Sequence, residues 1–177
     1  MSPSYLVKQL YPEHTRFEEI SCYDLLEPNV CVGVSHWTQL RGSRPYPARD
    51  ELDIRQLGRA LESISLVRVI DDGADFLIRV AGDQLRRAYA AQLSGRLLSD
   101  LETELPISAR RWRKMFRKVV ASGRPVAIRI TVGCDAPELN FFKAEGVCLP
   151  FGDPGRVDYL VVFASHALVS VEEGQVV

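Results

Sequence analysis

The sequence predicts an α+β fold built on an antiparallel sheet. Strand-like runs come in hairpin pairs on either side of a helical middle. One long stretch with helical apolar spacing precedes the last three strands. No alternation of strands and helices points to a parallel, doubly wound sheet.

The elements follow in order. Residues 1–28 are mixed and weakly periodic and read as an irregular N-terminal arm, with at most a short helical turn. Val30, Val34, Trp37 and Leu40 then recur at helical spacing, with Asn29 as N-cap and Gly42 as the stop. Pro45 and Pro47 end that helix, because a proline disfavours the helical region in the residue before it. Asp53 caps a second, shorter helix with Ile54, Leu57 and Leu61 on one face. Leu66–Ile70 and Phe76–Ala81 read as strands joined by the tight-turn chemistry of Asp71-Asp72-Gly73. Leu85 and Tyr89 mark a short helix, and Ser99 with Glu102 forms a candidate capping box for another. The best helix begins near Pro106, carries Trp112, Met115, Phe116 and Val119 as its stripe, and ends at Ser122-Gly123. Val126–Cys134, Asn140–Pro150 and Val157–Ala164 complete the strands, the last nearly all apolar and expected at the sheet centre. The tail from His166 onward reads as a short helix or a frayed end.

Composition bounds the function. With 177 residues the chain suits one domain, and 46% apolar residues exclude disorder throughout. Its 22 basic and 23 acidic residues build no global field for nucleic acid or an anionic membrane. Cys22, Cys31, Cys134 and Cys148 lack the spacing of a zinc or redox pair and read as reduced thiols. No apolar run reaches the ~18 residues of a membrane span, and no apolar leader follows Lys8. The expectation is a cytoplasmic protein.

The element order and five segments resemble the PAS_5 group of bacterial PAS domains. These segments are Trp37 through LRGSRPYPARDELDI, then DFLIRVAGDQL, LSGRLLSDL, ASGRPVAIRITVG and LPFGDPGRVDYLVV. Trp37, Arg41, Arg44, Pro47, Arg49 and Asp53 match the first, and Phe76, Arg79, Gly82 and Gly95 match the strand-to-helix region. The resemblance covers roughly residues 37 to 165. It implies a five-stranded antiparallel sheet with flanking helices enclosing a small cavity, and an N-terminal arm (1–28), a PAS-like domain (29–165) and a tail (166–177). It implies a sensory module for a small molecule or a protein partner, often a homodimer through an N-terminal helix (here Asn29 to Arg41) or the sheet. Signalling would pass to a separate protein. Gln84 to Asp100 has no cysteine for a covalent flavin, and Pro106 to Ser122 has no histidine for haem of the usual PAS type. The cofactor, if any, is left unassigned.

Candidate site residues carry two readings each. Arg79 could face an acidic ligand group or be a surface strand arginine, and Arg129 in the next hairpin is a weaker case of the same. Tyr89, Trp112 and Phe116 could line a cavity or be plain core. Trp37, Arg41 and Arg44 could form a partner surface, or Trp37 could anchor its own helix to the sheet. Arg110, Arg111, Arg113, Lys114, Arg117 and Lys118 could dock an acidic partner or form a solvated face. No catalytic or metal-ligand motif is present, so a binding protein is expected rather than an enzyme. The alternatives are a ligand-free interaction adaptor and a small isomerase-like enzyme with a buried acid or histidine.

Overall fold

The computed structural model describes residues 12–168. They form one antiparallel sheet of seven strands with helices on both faces. The strands are β1 (Arg16–Ile20), β2 (Ile64–Ile70), β3 (Asp75–Val80), β4 (Arg96–Leu97), β5 (Val126–Thr131), β6 (Phe141–Asp153) and β7 (Arg156–Leu168). Their spatial order is β1-β5-β6-β7-β2-β3-β4. The two longest strands, β6 and β7, are central and apolar, as a strand covered on both faces should be.

Seven strands replace the expected five, because each edge gains one. Arg16–Ile20, within the stretch read as irregular, pairs antiparallel with β5, Phe17 opposite Ile130. The two-residue β4 pairs with the outer side of β3. Strand β7 continues past Ala164 to Leu168, so His166 sits in the sheet and not in a tail. Residues 1–11 and 169–177, the rest of the arm and tail, lie outside the described residues.

Among the described residues four α-helices accompany the sheet: α1 (Pro28–Arg41), α2 (Asp83–Tyr89), α3 (Leu98–Glu104) and α4 (Pro106–Ser122). Helix α1 starts at Pro28, a residue preorganised for the first helical position, so Asn29 lies inside and Glu27 is the cap. The helix expected after Asp53 is instead two 3-10 turns, Ile54–Gln56 and Gly58–Ser63. Asp53 does cap the first, accepting from Arg55 N–H, but Leu57 alone of its three apolar residues is buried. Ser99 and Glu102 form no capping box: the Ser99 hydroxyl bonds Asp75 and Glu102 binds Arg113. At the β2–β3 turn, Asp71 and Asp72 take φ of 45° and 53°. Aspartate tolerates that region, which explains the tight-turn signal.

Alternation sorts the sheet into two faces. On the front lie α2, α3 and α4. Phe76, Ile78, Ile128, Ile130 and Val162 point there, and Phe76 meets Phe116 of α4 edge-on at 5.2 Å. Helix α1 covers the back. There Gly33 lies so close to Phe163 that a Cβ would fall 2.4 Å from its ring, so only glycine allows the approach. Trp37 closes the contact, 5% exposed, its indole N–H donating to Pro150 O at 2.8 Å.

Candidate functional site

A cavity of about 50 Å³ lies between the front of the sheet and helices α2 and α4. That is room for about four waters or a molecule of a few heavy atoms, since a cavity of about 150 Å³ is the size that admits a benzene ring. Small side chains make the space. Ala144, Gly146 and Ala164 sit side by side where β6 and β7 cross the floor. Leu85 and Tyr89 of α2 and Trp112, Met115 and Phe116 of α4 form the roof. The wall is almost wholly apolar.

Three polar groups reach it. The Tyr89 phenol is hydrogen-bonded to Ser108 and Trp112, and its ring stands edge-on to Trp112 at 4.8 Å. Burial pushes its pKa far up, only partly offset by those bonds, so it stays a neutral phenol. Ser65 Oγ accepts Gly82 N–H at 3.2 Å. The third is His166. Its ring packs against Phe141 at 4.8 Å and Tyr89 at 6.0 Å, and its backbone N–H donates to Gln84 Oε1 at 3.1 Å. Its Nδ1 is buried and has no hydrogen-bond partner. Burial lowers its pKa to about 4, so the imidazole is uncharged at neutral pH.

That shift fixes a pH dependence. The unfolded chain takes up the proton near 6.5 and the folded one only near 4. Stability from the neutral ring is therefore complete above pH 6.5 and is lost as pH falls towards 4, by up to about 3 kcal/mol. Urea unfolding at stepped pH is expected to show this loss in the wild type but not in His166→Phe. Equal slopes in both proteins would contradict it.

Glu145 borders the cavity with its backbone, but its carboxylate lies on the back face, only 3% exposed. Oε1 accepts Leu26 N–H at 2.6 Å and Glu27 N–H at 2.8 Å, and Oε2 pairs with Arg129 at 2.8 Å. Burial raises its pKa, but these bonds more than offset the rise and the net shift is downward. The chain entering α1 is thus tied to the middle of the sheet by a buried carboxylate.

The candidates fall in different places. Tyr89, Trp112 and Phe116 come together at the cavity. Arg129 does not line it, being paired with Glu145 and bonded to Asp24 O at 2.9 Å. Arg79 is exposed and also outside the lining. Trp37 is the anchor of α1, with the Arg41 guanidinium 5.2 Å from its ring centre. Arg44 folds back onto the end of α1, bonding Leu40 O and Arg41 O and gripping Glu51 with both terminal nitrogens. Most of the basic side chains on α4 are also committed. Arg113 holds Glu102 at 2.6 Å and Asp75 at 3.2 Å, Arg117 bonds Gly73 O, Lys118 pairs with Glu19, and Arg111 lies over Phe17. Sequence reasoning missed His166 and Ser65. The period of two through Val162 and Ala164, carried two residues further, would have turned His166 inward.

Among the described residues no group of three or more His, Cys, Asp or Glu side chains is placed to hold a metal ion. No helix among them is long and apolar enough to cross a membrane. No curated protein matches the chain. The PAS_5 model, described as a PAS domain, matches residues 31–157. That match runs from the first turn of α1 to the second residue of β7; it takes in β2 to β6, the roof helices and most of the cavity lining, and leaves β1, Val162, Ala164 and His166 outside. The chain belongs to the PAS domain family, in its PAS_5 group.

Proposed function

We propose that this PAS domain is a sensory or regulatory module that binds a small molecule in the cavity beneath α2 and α4. One observation carries the reading: an apolar space of about 50 Å³ with a buried, unpartnered histidine nitrogen on its wall. Pockets for small molecules combine an apolar lining with a few fixed polar groups, and Tyr89, Trp112 and Phe116 supply the aromatic part. Binding would act by favouring one arrangement of the roof helices over another. The state would pass to a partner protein or a second copy at the exposed start of α1, where Tyr23, Leu26 and Val32 face solvent. The burial of Trp37 and the internal ties of Arg44 support ligand sensing over an adaptor that works through those side chains.

His166 also favours a second reading, an isomerase-like enzyme, because a buried imidazole in an apolar pocket is a functional-site candidate. A base with a pKa of about 4 is poorly matched to proton abstraction near neutral pH. Glu145 directs its carboxylate away from the cavity, so no acid stands beside it. Binding is therefore the stronger reading.

Trp37→Phe leaves Trp112 as the sole tryptophan and a reporter of the cavity. Fractions of a small-molecule cell extract are expected to shift its emission and raise the melting temperature together. No fraction doing both would sink the ligand-binding reading, and turnover of the active compound would move weight to the enzyme.

A further inference from the structure

We propose that the cavity selects a small uncharged molecule with an apolar body and a single hydroxyl head, the head seated on His166 Nδ1. The inference rests on the reading of the cavity as a ligand site and names what that site accepts.

Four observations lead to it. His166 is 8% exposed, and its Nδ1 is buried without a partner. A buried polar atom left unpaired is destabilising, so its presence calls for an occupant. The ring is oriented by the edges of Phe141 and Tyr89, without any bond to Nδ1, which leaves that atom free to meet a ligand. The other polar atoms on the wall each already hold a bond: the Tyr89 phenol with Ser108 and Trp112, and Ser65 Oγ as acceptor of Gly82 N–H.

Water is a poor occupant. A buried water could bond the His166 nitrogen or the Ser65 hydroxyl, but it would leave the surrounding apolar side chains uncovered. An organic molecule solves the same problem with its own body, which covers the apolar surface while its head satisfies the histidine. A hydroxyl suits either tautomer of a neutral imidazole, because it both donates and accepts. A carboxylate, phosphate or ammonium would be stripped of water with no opposite charge to meet it. The lining's one carboxylate belongs to Glu145, and its oxygens are held by Leu26, Glu27 and Arg129 on the other face.

The test uses three small probes that differ in their heads: 2-propanol, propane and acetate. Each is titrated into the full chain at pH 7 with the ¹⁵N resonances of His166 followed, and into Trp37→Phe with the Trp112 emission followed. 2-Propanol is expected to bind at least tenfold tighter than propane and to shift Nδ1, and acetate is expected not to bind. In His166→Phe the preference for 2-propanol over propane is expected to vanish while propane still binds. Should that variant not fold, the Nδ1 shift in the wild type decides. Propane equal to 2-propanol, acetate binding in the cavity, or an unmoved Nδ1 would each overturn the inference while leaving a ligand cavity in place. If no probe perturbs Trp112 or His166, both the inference and the ligand-binding reading fall.

Discussion

Replacing Trp37 by Ala is expected to lower the unfolding free energy by about 4 kcal/mol. The side chain is 5% exposed, fills the gap between α1 and the back of the sheet, and gives its indole proton to Pro150 O. Truncation leaves a large void beside Val30 and Gly33, both also buried. The gap cannot collapse easily, because Gly33 already touches the Phe163 ring and the backbones have no further approach. For a chain of this length that loss corresponds to a drop in melting temperature of about 12 °C. Trp37→Phe keeps most of the packing and is expected to cost about 1–2 kcal/mol, mainly the hydrogen bond and part of the ring. Urea titration of the three proteins checks the series. If Trp37 served a partner, its loss would leave stability within about 0.5 kcal/mol of the wild type and abolish the contact instead.

Glu145→Ala is expected to cost about 3 kcal/mol. It removes the acceptor of two backbone N–H groups and leaves Arg129, itself three-quarters buried, without its counter-charge. Glu145→Gln retains an acceptor for the backbone and is expected to lose about half as much. The sign with pH follows from the direction of the shift. Because the folded carboxyl has the lower pKa, its contribution is present above the ordinary carboxylate range and disappears as pH falls through the lowered value. The wild type is expected to lose this part of its stability in acid, while Glu145→Gln shows a shallower dependence there. Identical acid profiles would mean that the carboxylate charge does not hold the start of α1.

Both predictions concern residues whose partners the sequence could not name. Helix α4 was legible because Trp112, Phe116 and Val119 recur at its period and Gly123 ends it. The β2–β3 turn was legible because its two aspartates and glycine suit positive φ. Strand β1 was not, since RFEEI carries only two apolar residues and gains its form from β5, more than a hundred residues away. Ile54, Leu57 and Leu61 have helical spacing, yet Gly58 takes φ of 52° and divides them into two turns. Spacing records amphipathicity and not the surface that is covered, so it could not tell whether Trp37 met the sheet or a partner. The register that sets Arg129 opposite Glu145 is likewise a property of the assembled sheet. The roof of the site was read from the sequence; its floor and its free histidine nitrogen emerged only when β7 was extended to His166.

Ala164 gives the most direct test of the cavity. Ala164→Leu adds three carbons to the floor opposite Gly146 and is expected to fill the space at a cost of about 1–3 kcal/mol in stability. The measurement is native mass spectrometry of the wild type and this variant, purified alike, beside the same samples denatured. The account predicts a non-covalent mass on the folded wild type that denaturation releases, and a bare chain for the folded variant. A bare wild-type chain, or a bound mass that survives on Ala164→Leu, would contradict it.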